Sequence, residues 1–424
     1  MSAERVLLPR SKDYYTPEPI SDWIQKGLAT LPRFKLFDDV SFIYEAQLAK
    51  MELHSWQFDL EEFRKRAAYF EEINGQKTYH NYISDIRGKG QIGRTNQYLT
   101  HWYYPYKAKF HPQMVKALIN WMGLTKGDRL LDPFVGSGTA LIEAKLVGVD
   151  GIGVDIDPFC TFMTKVKTDL LDIDVADLQH IAPKKAYDFF KSINEKPSQT
   201  ELRRFVETDH GPKSTLLNKD ERIHEFFLLS YLYALSDYTY VKRDMWDAFS
   251  KNVGEMLRSL EMFGELKRNL KLEMGKVSVK HGDARFLHMV PSETVDGIIS
   301  SPPYSIAVNY VKNDLHTFKF LGIEPGSLQD SLVGLRGRHD ERVRIYFEDM
   351  RQALESMFRV LRPQAKCVVV IGDVTFEGQR LPITSRFAEI AERTGFESIK
   401  IIRRPILGGF ARLRYENIML FQKP

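Results

Sequence analysis

From residue 128 onward, short apolar runs alternate with segments of helical period. Asp128–Leu131 and Gly151–Val154 have the length and composition of buried strands. Ala140–Leu146, between them, has helical spacing, and another helix is expected after Asp157, where Pro158 would occupy the first turn. This strand–turn–helix–strand rhythm predicts βαβ units and a parallel sheet.

The same rhythm returns after residue 276 and brings the number of predicted strands to seven. The five later strands are Lys276–His281, Val295–Ser300, Cys367–Gly372, Ser398–Arg403 and Glu416–Gln422. Helices are predicted at Tyr346–Leu361 and Ile383–Arg393, on either side of the strand that begins at Cys367. The last two strands are close together in the sequence, so we expect them to pair antiparallel. The whole pattern predicts an α/β fold.

The segment between residues 170 and 276 interrupts this rhythm. It contains an aromatic, apolar run at Phe226–Tyr240 and an amphipathic run at Ala248–Leu272. Such a segment is too long for a loop inside one domain, so we interpret 171–275 as a helical insertion. The first hundred residues have no clear motif and are expected to form a mixed, mostly helical region. The predicted core domain is therefore assembled from 101–170 and 276–424.

Composition narrows the class of protein. The 424 residues are 43% hydrophobic, and Lys+Arg exceed Asp+Glu by 60 − 56 = 4, so a site for a polyanion would depend on local clusters of charge. Cys160 and Cys367 are far apart, which predicts neither a disulfide framework nor a zinc site. The sequence has no signal-like apolar segment and no run long enough to span a membrane. We expect an intracellular, cytoplasmic protein without a structural metal.

Acidic and glycine-rich positions follow the predicted strands. The string Asp132–Thr139 contains Gly136 and Gly138, and a glycine turn before a helix lets a ligand approach backbone N–H groups. Asp155 ends the second strand, where an acid can accept hydrogen bonds from ribose hydroxyls. Asp157 is explained equally well as a helix N-cap. Asp283, just after a later strand, either accepts from an adenine amino group or belongs to a simple turn.

The string Ser301-Pro302-Pro303-Tyr304 follows an apolar strand and is the candidate for chemistry. Two successive prolines fix the backbone in an extended form and remove both N–H donors. The Ser301 hydroxyl and the Pro302 carbonyl can then accept from the amino group of a base, and Tyr304 can stack on a base taken out of its helix. A rigid loop without such a role is the alternative.

These motifs together resemble the amino-type DNA methyltransferases, which modify N4 of cytosine or N6 of adenine. The resemblance covers 100–170 and 276–424 and implies a Rossmann-like, seven-stranded methyltransferase sheet that binds S-adenosyl-L-methionine. The segment Tyr104–Pro112 resembles a second donor-binding motif of that family. The donor-binding residues that the resemblance implies are Phe110, Asp132, Phe134, Gly136, Gly138, Thr139, Asp155, Ile156, Asp283 and Ala284. The implied catalytic residues are Ser301, Pro302, Pro303 and Tyr304.

Serine as the first catalytic residue is typical of the N4-cytosine enzymes, whereas Asp or Asn is typical of the adenine enzymes. The donor motif precedes the catalytic motif, unlike the order in many Ser-Pro-Pro-Tyr enzymes, and this order resembles the arrangement in which target recognition is inserted between the two. The insertion is therefore either a target-recognition domain or a structural lid. Neither cysteine follows a proline, which disfavours a C5-cytosine enzyme with a cysteine nucleophile. An RNA base amino-methyltransferase and a non-catalytic nucleic-acid-binding protein remain alternatives.

Two arginine-rich stretches follow the predicted catalytic loop in the sequence and are candidates for contact with phosphates. The candidate residues are Arg336, Arg338, Arg342, Arg403, Arg404 and Arg412. A third, weaker stretch is Arg87–Arg94, in a region that could contact DNA or be accessory. The expected partner is double-stranded DNA, and a cognate restriction endonuclease acting separately is possible on the same resemblance.

Overall fold

A computed structural model describes residues 98–107, 109–179, 182–195, 219–270, 272–303, 310–377, 379–405 and 415–424, with the pairs Glu72–Ile73 and Gln76–Lys77. These two pairs form a minimal antiparallel hairpin, β1 and β2. The prediction of a mostly helical region over the first hundred residues therefore falls almost entirely outside the described residues.

A seven-stranded sheet forms the centre of the described fold. The remaining strands are β3 (Arg129–Asp132), β4 (Asp150–Asp155), β5 (Val277–His281), β6 (Val295–Ser300), β7 (Leu361–Ile371), β8 (Val374–Phe376), β9 (Gln379–Leu381), β10 (Glu397–Pro405) and β11 (Tyr415–Gln422). Strands β8 and β9 form a separate hairpin, and the others are ordered β5-β4-β3-β6-β7-β11-β10 across the sheet. Only β11 runs antiparallel to its neighbours in this described sheet. The predicted seven-stranded, Rossmann-like α/β fold with an antiparallel last pair is confirmed.

Helices cover both faces of this sheet. In chain order they are α1 (Pro112–Met122), α2 (Thr139–Leu146), α3 (Pro158–Asp169), α4 (Val175–Gln179), α5 (Ala182–Glu195), α6 (Lys219–Val241), α7 (Met245–Leu270), α8 (Tyr310–Asn313), α9 (Leu315–Leu321), α10 (Pro325–Ser331), α11 (His339–Val360) and α12 (Ile383–Thr394). Side chains alternate between the two faces along each strand. Leu130 therefore packs with α1 and α2, whereas Leu131 packs with α11 and α12.

Some boundaries differ from those predicted. Strand β7 begins six residues before the predicted start at Cys367, and Gly372 lies outside it. Helix α11 begins at His339 rather than Tyr346, and Arg338 is its extended N-cap residue (φ −130°, ψ 152°). The arginine-rich stretch after the catalytic loop is thus partly helix, and Arg342 lies in its first turns.

The described residues between 171 and 275 form helices α4 to α7, and α6 and α7 pack against each other. Their apolar side chains share one buried cluster with the segment 98–104 and with α9. Tyr103 stacks on Phe226 with 6.0 Å between ring centroids, and Tyr231 contacts Phe320 at 5.0 Å. No helix within the described ranges is both long and apolar enough to cross a membrane.

Candidate functional site

A cleft lies at the carboxyl ends of β3, β4, β5 and β6 and encloses about 900 Å³, including space open to solvent. This is the edge at which open α/β sheets bind ligands. The predicted site residues that line it are Phe110, Asp132, Phe134, Gly136, Thr139, Asp155, Ile156, Asp283, Ala284, Ser301 and Pro303. Gly138 and Pro302 are not among its lining residues, and Tyr304 lies outside the described residues.

The glycine turn between β3 and α2 takes a conformation that favours glycine. Gly136 and Gly138 have φ values of +48° and +80°. A Cβ atom on Gly138 would lie 2.7 Å from Thr164 Cγ2, and Thr164 Oγ1 donates a hydrogen bond of 3.0 Å to the Gly136 carbonyl. Close packing between the turn and α3 therefore sets the shape of this wall of the cleft.

Asp155 and Asp157 hold the opposite side of the turn. Asp155 accepts from the N–H groups of Gly136 (2.9 Å) and Asp157 (3.0 Å), and its side chain also faces the cleft. Asp157 accepts from the Phe159 N–H at 2.8 Å as the N-cap of α3, which confirms that explanation. Burial raises the pKa of Asp155 and raises the pKa of Asp157 to about 8, with the Asp155 charge adding to the latter.

Asp132 ends β3 with only 1% of its surface exposed. Its Oδ1 accepts from Ser300 Oγ at 2.7 Å and from the Phe134 N–H at 3.1 Å. Burial raises the pKa of Asp132 to about 7 despite these two hydrogen bonds, which favour the ionised form. A carboxyl group that titrates near neutral pH thus lies in the wall of the cleft.

Asp283 forms an ion pair at the far end of the cleft. Arg285 Nε donates to its two carboxylate oxygens at 3.0 and 2.9 Å, and Arg285 Nη1 donates to Asp349 Oδ1 at 3.1 Å. Asp349 is 1% exposed and also accepts from Arg336. Arg336 is partly exposed and pairs with a buried carboxylate, and its contact with phosphate stays a prediction.

The catalytic string leaves the end of β6 toward the cleft. Ser301 Oγ donates to the Val370 carbonyl of β7 at 3.1 Å. The single hydroxyl proton is used in this bond, so the oxygen lone pairs are the part of Ser301 that can meet a ligand. Pro302 is buried and Pro303 lines the cleft.

The segment before α1 contributes more to the cleft than Phe110 alone. Tyr106 and Lys109 also line it, and Lys109 Nζ donates to the carbonyls of His101 (2.8 Å) and Tyr104 (2.9 Å). Sequence reasoning missed both residues, although they lie in the segment whose resemblance to a donor-binding motif could have suggested them. The additional lining is completed by Pro133, Val135, Ser137, Asp157, Cys160, Leu332 and Val333.

The remaining predicted phosphate contacts have varied surroundings. Arg338 is exposed at the start of α11, and Arg342 Nε donates to the Gly337 carbonyl at 3.1 Å. Arg403 and Arg404 lie in β10, but their side chains, like all of Arg412, fall outside the described residues.

Both cysteines lie in the described part of the chain. Cys160 and Cys367 are buried, and burial raises the pKa of both thiols above the ordinary value. No group of three or more His, Cys, Asp or Glu side chains suited to a metal occurs among the described residues. The cleft itself is rich in carboxyl groups: Asp132, Asp155, Asp157 and Asp283 line it together with one lysine, Lys109.

This lining suits S-adenosylmethionine, which carries a sulfonium and an ammonium group against one carboxylate. Carboxyl groups favour its cationic parts, and the positive charge of Lys109 favours its carboxylate. Apolar side chains, among them Phe134, Ile156 and Val333, offer surfaces for a purine ring. When bound, the donor supplies an electrophilic methyl group.

Comparison with known proteins agrees with this geometry. Residues 102–196 match the family described as RMKL-like, methyltransferase domain. The chain is 24% identical to the type II methyltransferase M.BsoBI from Geobacillus stearothermophilus over 72% of this chain and 80% of that protein. It is 23% identical to the type II methyltransferase M.MjaII from Methanocaldococcus jannaschii over 75% of this chain and 79% of that protein. The chain is an S-adenosylmethionine-dependent methyltransferase. The resemblance to amino-type DNA methyltransferases noted in the sequence is thereby confirmed.

The methyltransferase also has shorter or weaker matches. It is 46% identical to the tRNA (guanine(10)-N2)-dimethyltransferase of Methanothermobacter thermautotrophicus, but over only 12% of this chain and 16% of that protein. Among solved structures, a DNA modification methylase from Thermus thermophilus complexed with S-adenosyl-L-methionine aligns at 22% identity and a TM-score of 0.23. That alignment covers 34% of this chain and 51% of the other.

Proposed function

We propose that this methyltransferase modifies DNA at specific sites, transferring a methyl group to the exocyclic N4 amino group of a cytosine that is flipped out of the duplex. The relatives that align over most of both chains are type II methyltransferases, whereas matches to two tRNA methyltransferases cover 12% and 26% of this chain. In this proposal the catalytic loop is 301–304, and Phe110, Gly136, Asp155 and the other cleft residues hold the donor.

The observation that carries the proposal is the hydrogen bond from Ser301 to the Val370 carbonyl. Because the hydroxyl proton is committed to β7, Ser301 can only accept from the amino group of a base. Accepting those N–H bonds withdraws the nitrogen lone pair from conjugation with the ring and directs it toward the methyl carbon. Transfer forms a C–N bond as the C–S bond breaks to leave a neutral thioether, and the nitrogen then releases a proton to solvent. Rate enhancement would come from positioning and electrostatics.

The decisive experiment is mass spectrometry of nucleosides from duplex DNA exposed to the enzyme and donor. N4-methylcytosine is the expected product. N6-methyladenine as the product would support amino methylation but show that the target base is adenine. Methylation of total RNA but not of DNA would overturn the assignment of DNA as the substrate. A donor-binding protein that methylated neither would support a role in binding alone. If DNA is methylated at a defined site, a restriction endonuclease that recognises the same site is the partner to seek.

Replacing Ser301 tests the loop directly. We expect Ser301→Ala to lower kcat by about 100-fold or more, the size seen when one positioned hydrogen-bonding group is removed, while the Kd for the donor stays within about twofold. The control is Ser292→Ala, an exposed serine just before the opposite end of β6. Wild-type turnover of Ser301→Ala would refute the catalytic assignment.

A further inference from the structure

Ser300, the residue before the catalytic string, is fully buried at the end of β6. Its Oγ donates a 2.7 Å hydrogen bond to Asp132 Oδ1 on the neighbouring parallel strand β3. A buried hydroxyl needs an acceptor, but a backbone carbonyl would serve, as Val370 does for Ser301. Here the acceptor is a carboxylate in the wall of the donor cleft.

The two hydrogen bonds of Asp132 fall on the same oxygen. Ser300 Oγ and the Phe134 N–H both donate to Oδ1, and neither uses Oδ2. Because these two hydrogen bonds fix Oδ1, they also fix the direction in which Oδ2 points. Since Asp132 lines the cleft, Oδ2 is the oxygen that a bound ligand can reach.

We propose that Ser300 is a positioning residue that orients the Asp132 carboxylate and keeps it ionised for a cationic group of the bound methyl donor. The inference rests on the proposed use of this cleft for the donor and adds a residue with no assigned role. Ser300 touches neither donor nor base and acts through Asp132.

The charges around Asp132 explain why such support matters. Asp155, Asp157 and Asp283 line the same cleft, and Lys109 is the cation among the described lining residues. Burial and the Asp155 charge raise the pKa of Asp132, whereas the bond from Ser300 lowers it. Without that bond, a larger fraction of Asp132 would be protonated at neutral pH and unable to attract a cation.

The test is calorimetric titration of the full-length protein with S-adenosylmethionine across pH 6 to 9. In Ser300→Ala we expect the pH midpoint of donor affinity to rise by about one unit and the affinity at pH 7 to fall about tenfold, as for loss of a hydrogen bond to a charged group. Ser300→Thr keeps a hydroxyl and should restore both values. The KM for duplex DNA should not change.

Ser259→Ala is the matched control, because Ser259 is also fully buried, lies in α7, and its Oγ has no hydrogen-bond partner in the described structure. This variant should bind the donor as the wild type does. An unchanged pH midpoint in Ser300→Ala, even with reduced thermal stability, would overturn the inference and leave Ser300 a packing residue. Failure of the wild-type protein to bind the donor would instead refute the proposed function of the cleft.

Discussion

Gly138 shapes the cleft without lining it. It is the N-cap of α2 with a left-handed φ of +80°, and the absence of a side chain leaves room for Thr164. Thr164 in turn donates to the Gly136 carbonyl, so one absent Cβ lets α3 approach the turn that faces the donor. The position of a glycine in this motif is therefore set by helix packing as much as by the ligand.

Gly138→Ala should lower the free energy of unfolding by about 2 to 4 kcal/mol, combining the left-handed backbone penalty with a clash at Thr164. Gly254→Ala is the control: Gly254 lies within α7 with open space around it, and alanine there should add about 0.5 to 1 kcal/mol. Urea unfolding measures both changes. Equal stability of the two variants would contradict the role given to the packing against Thr164.

The site residues that sequence analysis could predict are those placed by local rules. Asp132 and Asp155 each end a parallel strand, and strand ends share one edge of the sheet. The ion pair of Arg336 escapes sequence analysis, because its partner Asp349 lies on α11 and is reached only through the tertiary fold. Ser300 escapes sequence analysis for the same reason, since its value depends on the strand beside it.

The strands are the most predictable elements, and the helices around the insertion are the least. Buried parallel strands are short apolar runs whose limits glycine and acidic residues mark, and the structure confirms both predicted ends of Val295–Ser300. Helices α8 to α10 are short, so their sequences contain no periodic pattern of apolar residues from which they could be predicted. The same holds for the hairpin of β8 and β9, with three residues in each strand.

Phe249 anchors the helical hairpin of α6 and α7. It is fully buried and contacts the rings of Phe189, Phe190 and Trp246. Phe249→Ala should lower the free energy of unfolding by about 3 to 5 kcal/mol, the usual cost of removing a buried aromatic ring. Met262→Ala, at a 39% exposed position of the same helix, should cost less than about 1 kcal/mol. Similar melting temperatures for both variants in calorimetry would show that α7 contributes little to the core.

At the scale of the whole molecule, the buried carboxyl groups of the cleft make the stability of the fold depend on pH. Asp132 and Asp157 have pKa values of about 7 and about 8 in the folded protein, against 3.8 without burial. Near neutral pH the folded state therefore holds protons that the unfolded state has lost, and stability falls as pH rises toward the folded pKa values. Burial lowers the pKa of His101 and His316, so these residues oppose the trend only in more acidic solution.

We expect the free energy of unfolding without donor to fall by about 2 kcal/mol between pH 6.5 and 8. A saturating cationic donor should reduce this loss, because it compensates the carboxylates as they ionise. Urea unfolding at the two pH values, with and without S-adenosylmethionine, measures the effect. Asp132→Asn should flatten the pH dependence, and a steeper slope in that variant would contradict the explanation.

The cluster shared by the insertion, the segment 98–104 and α9 limits which segments of the chain can be exchanged between relatives. Tyr103 packs on Phe226, and Tyr104 Oη donates to Asp314 Oδ1 at 2.7 Å just before α9. Exchanging residues 171–275 alone between relatives would separate aromatic partners that fit each other. A segment exchange that keeps these contacts must therefore include all three parts of the cluster, which are not contiguous in the sequence.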